Sequence, residues 1–470
     1  MKRSTALLVI LGAAAVLSVP GGAGGQLFQP CVNYTAGSTP TSVAVSEFDG
    51  DGDLDVVVTN AGNNNLSVYL GNGDGTLQPR VSYGTGLYPG AVVTARLDAD
   101  GDEDLATANH NGDNASVLLG NGNGTFQGCV NYTAGDSPHT VAAADLDGDG
   151  DQDLVVSNYD SHNVSILLGN GNGTFQAAVS YAAGSGPRSV AVADLDGDTH
   201  PDLVVASGEA VCVLPGNGDG TFDPALQYAA GAGPICAAVL DLNADGLHDL
   251  AVANYTGNSV SILLGNGDGT FQPDVEYAAG TNPTFVVVAR LDRNAEPDLA
   301  VSNGGSASVS ILLGNGDGTF QDDITFGTGN RPSWIAAADL DEDGDLDLVT
   351  ANALSNNISV LLGTSAETGV DDPVNDSSSL RLGRPSPNPF NDQTSVEFGV
   401  GGGAQAARLA VYSAGGCLVR ELGGGALADG PHVARWDGRD MHGVQVSSGV
   451  YFLKLECGEE FRTEKVLLLR

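Results

Sequence analysis

An internal repeat constrains this sequence more than any other feature. A phrase close to Leu-Gly-Asn-Gly-Asp-Gly-Thr-Phe places its first glycine at positions 71, 120, 169, 216, 265 and 314, and a truncated copy begins at Gly363. Successive copies are 49 residues apart, except for one interval of 47. A fixed period of this length is typical of architectures in which each repeat forms one supersecondary unit. The sequence therefore predicts seven units over residues 41–363.

Each repeat contains four short apolar segments separated by turn residues. In the third repeat these are residues 141–146, 153–158, 163–170 and 175–184, which are rich in Val, Ile, Leu and Ala. Glycine, asparagine or aspartate bounds each one, as is typical of β-strands. Four strands in one such period indicate a β-propeller blade. A β-helix would need shorter coils, and a helical solenoid would show a 3.6-residue period, which is absent.

The two ends of the repeat region complement each other. The last unit stops at Gly363 without its fourth strand, and residues 28–37 match residues 126–135, which contain that strand in the second unit. We therefore predict that the N-terminal strand completes the seventh blade and removes the open edges of a linear array. The predicted fold is all-β, with a seven-bladed β-propeller over residues 26–363.

An acidic loop with the pattern D-x-[DN]-x-D-G-x-x-D follows the first predicted strand of most repeats. Calcium takes 6–8 oxygen ligands, and alternate residues of a tight loop can point their carboxylates at one ion. The alternative is an Asp-Gly turn without metal, but several carboxylates at close range repel one another without a cation. We predict about five structural Ca²⁺ sites. The predicted ligands are Glu47, Asp49, Asp51 and Asp55; Asp145, Asp147, Asp149 and Asp153; Asp194, Asp196, Asp198 and Asp202; Asp241, Asn243, Asp245 and Asp249; and Asp339, Asp341, Asp343 and Asp347.

Three loops depart from this pattern. The fourth repeat has Thr199 in place of the glycine, and we expect its loop still to bind calcium. The second and sixth repeats have Arg96 and Arg290 at the first ligand position, where a guanidinium cannot coordinate the ion. The sixth is further altered by Asn294 and Ala295. We predict that blade six binds no calcium and that blade two binds it weakly or not at all. The GNGDGT loops are predicted to be tight hairpins rather than second metal sites.

The repeats resemble the FG-GAP/VCBS repeats of the integrin α-chain propeller family. The matching residues are the acidic loop, as in DLDGDGDQD at 145–153, and the phrase LGNGDGTF. The resemblance covers about residues 27–363. It implies a propeller whose acidic loops bind calcium and stabilise the blades. It also implies a protein of a kind that is often adhesive or lectin-like and is sometimes an enzyme.

Charge and the first residues indicate the compartment. The net charge of −40 excludes nucleic acid as a partner, because phosphate binding requires a basic surface. Residues 1–25 are typical of an export signal, in which Lys2 and Arg3 precede an apolar run from Ala6 to Val19. No other segment is a candidate membrane span. We expect a bacterial protein that is secreted or lies at the cell surface.

Two disulfides are candidates, Cys417 with Cys457 and Cys212 with Cys236, but spacing does not decide either.

A second domain follows the repeats. Residues 364–383 are polar and predict a linker, and residues 384–470 contain six short β-like runs that predict a small β-sandwich. The sandwich resembles the immunoglobulin-like module at the C-termini of secreted bacterial proteins, including type IX sorting domains and the flagellar hook-capping fold. The motifs that carry this resemblance are PNPF at 387–390, WDG at 436–438, SGVYF at 448–452 and KVLLL at 465–469. It implies a role in export or anchoring by the corresponding machinery; the alternative is a passive accessory sandwich.

Strand alternation places the acidic loops and the GNGDGT loops on one face of the ring and the other connections on the opposite face. The opposite face varies between repeats and collects residue types that are favoured in binding hot spots. We predict that it binds a glycan or an extracellular protein. The candidate residues are Tyr88, His110, His139, Tyr159, His162, Arg188, Tyr255, Arg331 and Trp334.

Three functions are consistent with this organisation. The first is a calcium-stabilised adhesion or recognition protein at the cell surface. The second is an enzyme, for example a polysaccharide lyase or hydrolase, for which His110, His139 and His162 could act as acid or base. The third is a surface scaffold without a specific ligand. The sequence contains no recognised catalytic signature, and the metal loops are closed by protein carboxylates, so we favour the first function over an enzyme.

Overall fold

The computed structural model describes residues 27–292, 294–364, 380–382, 390, 393–400, 406–413, 418–426, 430–457 and 460–468. The export signal predicted at 1–25 lies outside these residues, as does most of the predicted linker. The described residues form two compact units, one that ends by residue 364 and one that begins at residue 380. Their regular structure is β-strand apart from a short 3₁₀ turn at Ala61–Asn63, which confirms the predicted fold class. Within the described part, no helix is long and apolar enough to cross a membrane.

The first unit consists of seven four-stranded antiparallel sheets, here called blades one to seven in chain order. Strand β1 (Val32–Thr35) belongs to blade seven. The first strands are β2 (Pro40–Ser46), β6 (Pro89–Ala95), β10 (Pro138–Ala144), β14 (Ser189–Ala193), β18 (Pro234–Leu240), β22 (Pro283–Ala289) and β26 (Pro332–Ala338). The second strands are β3 (Asp55–Asn60), β7 (Asp104–Asn109), β11 (Asp153–Asn158), β15 (Asp202–Ala206), β19 (Asp249–Asn254), β23 (Asp298–Asn303) and β27 (Asp347–Asn352).

The outer strands of the blades are shorter. The third strands are β4 (Asn65–Tyr69), β8 (Asn114–Leu118), β12 (Asn163–Leu167), β16 (Val211–Leu214), β20 (Ser259–Leu263), β24 (Ser308–Leu312) and β28 (Asn357–Leu361). The fourth strands of blades one to six are β5 (Val81–Gly84), β9 (Val130–Thr133), β13 (Val179–Ala182), β17 (Leu226–Tyr228), β21 (Val275–Ala278) and β25 (Ile324–Gly327).

The N-terminal strand supplies the fourth strand of blade seven. β1 pairs antiparallel with β28, so that Val32 lies opposite Val360 and Thr35 opposite Asn357. The first strands contact one another in a closed cycle, in which β2 contacts both β6 and β26. At the closure, the hydroxyl of Ser333 donates a hydrogen bond to the Pro40 carbonyl at 3.2 Å. This is the arrangement of a β-propeller.

Burial is greatest in the inner strands. Every residue of β3, β7, β11, β19, β23 and β27 is buried, whereas most residues of the fourth strands are exposed.

Neighbouring blades are joined by aromatic pairs between a fourth strand and the next GNGDGT phrase. Tyr83 meets Phe126 edge to face at 5.4 Å between ring centroids, and Phe326 meets Phe28 in the same way at 5.2 Å across the closure. The phenylalanine of the repeated phrase therefore packs against the adjacent blade.

The second unit contains two sheets. One has the order β29 (Leu380–Leu382), β30 (Thr394–Val400), β33 (Gly430–Trp436). The other has the order β32 (Leu418–Ala426), β31 (Ala406–Ser413), β34 (Gly449–Cys457), β35 (Glu460–Leu468). Trp436, Leu453 and Val466 are among its fully buried side chains. Because β29 falls inside the segment predicted as a linker, the ordered sandwich begins before residue 384.

The candidate disulfide between Cys212 and Cys236 is not formed, because both thiols are free and buried. Cys212 lies on β16 beside the hydroxyl of Ser207, and the Cys236 thiol contacts the carbonyl of Val286 in the next blade. Burial raises the pKa of Cys236 to about 12, so its thiol stays protonated. Cys417, the predicted partner of Cys457, lies outside the described residues.

Candidate functional site

The acidic loops connect the first and second strands of the blades, and we number them one to seven with their blade. The GNGDGT loops connect the third and fourth strands and contact the acidic loop of the preceding blade. The backbone N–H of Gly124 in blade two donates to the Phe48 carbonyl in loop one at 2.7 Å. The corresponding contact across the closure joins Gly75 to the Leu340 carbonyl at 3.1 Å. Both kinds of loop therefore share one face of the ring, as the sequence predicts.

Four acidic loops bring three carboxylates together. In each, one oxygen from each of three side chains lies within 4.8 Å of the other two. The members occupy the first, third and ninth positions of the motif. They are Glu47, Asp49 and Asp55; Asp145, Asp147 and Asp153; Asp194, Asp196 and Asp202; and Asp339, Asp341 and Asp347. The set contains only hard oxygen donors, which fits a cation such as calcium.

The fifth-position carboxylates interact with the third-position ones but are not members of these three-oxygen groups. Asp51 accepts a hydrogen bond from the Asp53 backbone N–H at 2.9 Å, and Asp149 accepts one from Asp151 at 2.9 Å. Asp198 and Asp343 accept the equivalent bond in loops four and seven. These side chains stabilise the turn, and of the four predicted ligands in each loop they are the ones that the structure does not bring into the group.

The ninth-position aspartate connects two loops of its own blade. Asp55 accepts the Phe48 backbone N–H through Oδ2 at 2.7 Å and the Gly71 N–H through Oδ1 at 2.7 Å. The same two bonds occur in all seven blades, including blades two and six, in which arginine occupies the first position. The other aspartates are Asp104, Asp153, Asp202, Asp249, Asp298 and Asp347. Sequence reasoning assigned this residue only to the metal. Its presence in the two arginine-containing repeats was the signal for a structural role.

Loop five differs from the other predicted metal loops. Its third position is Asn243, whose amide donates to Asp245 at 3.0 Å. Among the described residues, Asp241, Asp245 and Asp249 do not form a three-carboxylate group within 4.8 Å. The fifth predicted site would therefore have the amide oxygen of Asn243 in place of a third-position carboxylate, and this oxygen accepts the Asp245 N–H at 3.1 Å.

Loops two and six contain no three-carboxylate group among the residues described there. In loop two, Arg96 forms an ion pair with Glu103, with 3.0 Å between Nε and Oε1. In loop six, the Asn294 amide donates to Asp292 at 2.9 Å. Arg96 therefore faces an acid of its own loop rather than a cation, and the absence of calcium from these loops stays a prediction.

Loop four accommodates Thr199 at the glycine position. Its φ is +75°, in the left-handed region that β-branched residues rarely adopt. The Thr199 N–H still donates to Asp194 at 3.0 Å, as the Gly150 N–H does to Asp145 in loop three. The loop conformation is thus retained at a cost in backbone strain.

Burial raises the pKa of several carboxylates in these groups. Burial raises the pKa of Asp55 and Asp347 to about 7 and that of Asp153 to about 6, against an ordinary value of 3.8. The two backbone N–H donors act in the opposite direction, and the other acids of the loop raise these pKa values further. Asp341 reaches about 6 through burial and the charge of Asp343. The loops therefore hold negative charge at a cost that a cation would offset.

The GNGDGT loops are self-contained turns. Asp74 accepts hydrogen bonds from the hydroxyl and the backbone N–H of Thr76, and the Asn72 amide donates to the same hydroxyl at 2.9 Å. The hydroxyl bond is the main cause that lowers the pKa of Asp74. Since this carboxylate is satisfied within its own turn, the interpretation as a tight hairpin agrees with the structure.

The opposite face, which we call the variable face, brings together five of the nine predicted ligand-face residues. The rings of Tyr88 and His110 lie 5.9 Å apart, and those of His110 and His139 lie 6.5 Å apart. The Arg188 guanidinium lies 4.7 Å from the centroid of the Tyr159 ring. These contacts connect blades two, three and four.

The remaining predicted residues are dispersed. His162 is exposed beside the cluster and accepts the Gly186 N–H at 3.1 Å through Nδ1. Tyr255 is exposed on blade five, and Arg331 is exposed before β26. Trp334 is not available on this face, because it is buried and stacks on Phe285 at 3.8 Å. The sequence could not distinguish an inward aromatic side chain from an outward one at the start of β26.

Comparisons with solved structures agree with the fold. BBS1N in complex with ARL6DN has a TM-score of 0.51 and 14% identity, over 73% of this chain and 99% of that chain. An Agrocybe aegerita protein that recognises non-reducing terminal N-acetylglucosamine has a TM-score of 0.47 and 20% identity, over 68% and 86%. PorZ, a surface component of the type IX secretion system of Porphyromonas gingivalis, has a TM-score of 0.44 and 15% identity, over 89% and 58%. The first likeness shows a shared fold alone. No curated protein matches the chain.

Family profiles match both units. The FlgD Ig-like domain matches residues 387–459. The FG-GAP-like repeat matches residues 47–107, 96–156, 145–205, 194–252, 241–301 and 291–350, which together span more than half of the chain. Each matched segment begins at the start of an acidic loop or one residue after it and extends through the next one. The chain belongs to the FG-GAP-like repeat family.

Proposed function

We propose that this protein is an extracellular recognition protein whose propeller is stabilised by calcium in the acidic loops. The observation that carries the proposal is the convergence of three carboxylates within 4.8 Å in four separate loops. Calcium accepts six to eight oxygen ligands in flexible geometry, whereas magnesium demands a near-ideal octahedron. An irregular loop of acidic and backbone oxygens therefore favours calcium.

In this proposal the ion has a structural role. It would be held by the first, third and ninth carboxylates of loops one, three, four and seven. The ninth residue is hydrogen-bonded to the GNGDGT loop of its own blade, and the acidic loop contacts the GNGDGT loop of the next blade. Neutralising the loop charge would therefore stabilise both a blade and its junction with the neighbouring blade.

Recognition is assigned to the variable face, and its partner class is a glycan or an extracellular protein. The clustering of Tyr88, His110, His139, Tyr159 and Arg188 supports this assignment, since aromatic and arginine side chains dominate binding hot spots. Export or anchoring is assigned to the C-terminal unit, from its FlgD Ig-like match and its resemblance to type IX sorting domains. The signal-like residues 1–25 agree with a secreted or surface location.

A second candidate function is an extracellular polysaccharide-degrading enzyme. His110 and His139 are neighbouring imidazoles on the variable face and could exchange protons with a substrate. We favour binding because the sequence contains no recognised catalytic motif beside them. Incubation with acidic and neutral polysaccharides distinguishes the two functions. An enzyme shortens the polysaccharides, whereas a binding protein leaves their length unchanged.

The test of the proposal combines stability and binding. Thermal unfolding of the purified chain is measured in calcium, in magnesium and in chelator, and binding is then measured on glycan and surface-protein arrays. We expect a melting temperature that is higher in calcium than in either other condition, together with selective binding that chelator removes. Equal melting in calcium and chelator would reject the calcium role. A calcium-loaded, folded protein that binds nothing would favour a scaffold.

A further inference from the structure

We propose that the variable face contains a site for an acidic sugar, built by Arg188, His139, Tyr159 and His110 at the junctions of blades two, three and four. This inference rests on the proposed recognition function and specifies its ligand class. The sugar unit would present a carboxylate or sulfate to Arg188 and the C–H surface of its ring to Tyr159 and His110.

The site lies where two repeat positions meet across a blade junction. One position follows the asparagine at the end of the second strand, and the other follows the proline at the start of the next blade's first strand. His110 with His139 and Tyr159 with Arg188 occupy these positions at two consecutive junctions. The equivalent pairs elsewhere are Ala61 with Gly90, Gly208 with Ile235, Tyr255 with Thr284, Gly304 with Ser333 and Ala353 with Thr41. At each of these other five junctions, at least one of the two positions lacks an aromatic, imidazole or guanidinium side chain.

Arg188 has charge available for an anion. Its guanidinium contacts the Tyr159 ring and lies 3.4 Å from the Tyr159 hydroxyl, and the described residues include no acidic partner for it. Among the acids on this face, Asp113 accepts the Ser137 N–H at 3.0 Å and Asp160 accepts the Ser137 hydroxyl. In a chain of net charge −40, an arginine that contacts no carboxylate presents its donors to a ligand.

His139 lies in the same cluster. Its Nδ1 is buried without a hydrogen-bond partner among the described residues. Burial, together with the charge of Arg188, lowers the pKa of His139 to about 4, so the ring is neutral at physiological pH. The His139 ring therefore adds no charge here, and Arg188 supplies the positive charge that an anionic ligand needs.

Two glycines pack closely against this cluster. A Cβ at Gly186 would lie 2.9 Å from the Tyr159 ring, so the ring packs directly on the backbone there. A Cβ at Gly90 would lie 2.7 Å from the His139 carbonyl oxygen, so the chain around His139 also needs a glycine neighbour. A site whose side chains are fixed before binding loses less conformational entropy when the ligand arrives.

The combination of groups favours an acidic sugar over an acidic peptide. Arg188 needs an anionic acceptor, and the rings of Tyr159 and His110 offer flat surfaces beside it. A uronate or sulfated sugar carries an anion on a ring whose C–H surface can pack against Tyr159 and His110. An aspartate or glutamate side chain carries its anion on a short chain and offers no ring to these two side chains.

The test uses the full chain in calcium. Binding is titrated with size-matched oligosaccharides that are neutral, uronate-containing or sulfated, and with polyglutamate. The variants are Arg188→Gln, Tyr159→Phe and His139→Gln. Arg80→Gln serves as the charge-matched control, because Arg80 lies at the outer strands and bonds Ser67 and Ser82. Calcium-dependent melting establishes that each variant is folded.

We expect uronate or sulfated sugars to bind at least ~10-fold more tightly than neutral ones, since a charge-assisted hydrogen bond contributes about 1.5–3 kcal/mol. Arg188→Gln should abolish that preference, Tyr159→Phe should weaken it, and Arg80→Gln should leave it unchanged. If neutral sugars bind and Arg188→Gln does not change their affinity, the acidic-sugar site is rejected. The proposed recognition function is then retained. If polyglutamate binds with the same affinity as the uronate sugar, the acidic-sugar site is rejected and an acidic peptide is the ligand class. No binding to any probe would reject the site together with the proposed recognition of glycans.

Discussion

Asp104 accepts the backbone N–H of Gly120 at 2.7 Å, which connects the acidic loop of blade two to its GNGDGT loop. The same carboxylate accepts the Leu97 N–H at 2.8 Å, and it is fully buried. This blade has an arginine at the first ligand position, so the contact does not depend on a metal. The ninth-position aspartate is therefore a structural element of every blade, and in our proposal some of these blades also bind calcium.

Asp104→Asn should destabilise the protein equally in calcium and in chelator. Asparagine keeps one acceptor oxygen and leaves one buried N–H unsatisfied, which costs about 1–3 kcal/mol in the free energy of unfolding. Urea unfolding in both conditions measures the change. Asp100→Asn, at an exposed position of the same loop, is the control and should cost far less. A loss seen only in calcium would mean that Asp104 acts through a bound ion.

The stability of the metal-free protein should fall as pH rises from about 4 to about 7. The folded-state pKa values of Asp55 and Asp347 are raised to about 7, above the ordinary value of 3.8. Protonation therefore favours the folded state, and this contribution is present below the unfolded pKa and lost as pH rises through the folded pKa. Calcium competes with these protons, so its stabilising effect should grow over the same range.

The melting temperature is measured in calcium and in chelator at several pH values between roughly 4.5 and 7.5. This range spans the titration of these carboxylates. The difference between the two conditions is the quantity of interest, because the buried His139 contributes equally to both. A difference that is constant with pH would contradict the account of the loops.

Thr199→Gly should stabilise loop four. The threonine has a φ of +75°, and relieving a left-handed β-branched residue gains about 1–2 kcal/mol, partly offset by the greater entropy of glycine in the unfolded chain. Calcium titration and thermal unfolding should both register a modest gain. Thr221→Gly, in the neighbouring GNGDGT turn, is a control that should lose stability because Thr221 donates to Asp219. A lower melting temperature for Thr199→Gly would show that the threonine side chain is needed.

Arg96→Asp should create a metal site in loop two. The change supplies the missing first carboxylate beside Asp98 and Asp104, and it removes the ion pair with Glu103. Calorimetric titration should detect one more calcium ion per chain than in the parent. Arg96→Ala is the matched control, which loses the same ion pair without adding a ligand. An unchanged stoichiometry would show that the first carboxylate is not what distinguishes the loops.

The period of the repeats predicted the architecture because each blade is specified locally. The strand boundaries follow turn residues, and the completion of blade seven by β1 followed from the match between residues 28–37 and 126–135. The acidic groups of loops one, three, four and seven were predicted for the same reason, since ligand spacing within nine residues fixes their proximity.

The repeat pattern does not predict the side-chain contacts between blades. The stacking of Trp334 on Phe285 depends on which way an inner-strand side chain faces, and the free thiols of Cys212 and Cys236 depend on the separation of two strands in different blades. The contact of His110 with His139 likewise joins residues of different repeats. Loop five fits the predicted pattern, but the pattern does not show that the Asn243 amide donates to Asp245.

Native mass spectrometry of the calcium-loaded chain tests the central claim most directly. The account predicts four tightly held ions, in loops one, three, four and seven, with a weaker fifth in loop five. Asp49→Asn, Asp147→Asn, Asp196→Asn and Asp341→Asn should each remove one of the four, and Asp292→Asn in loop six should remove none. A chain that holds no calcium, or seven equivalent ions, would contradict the account.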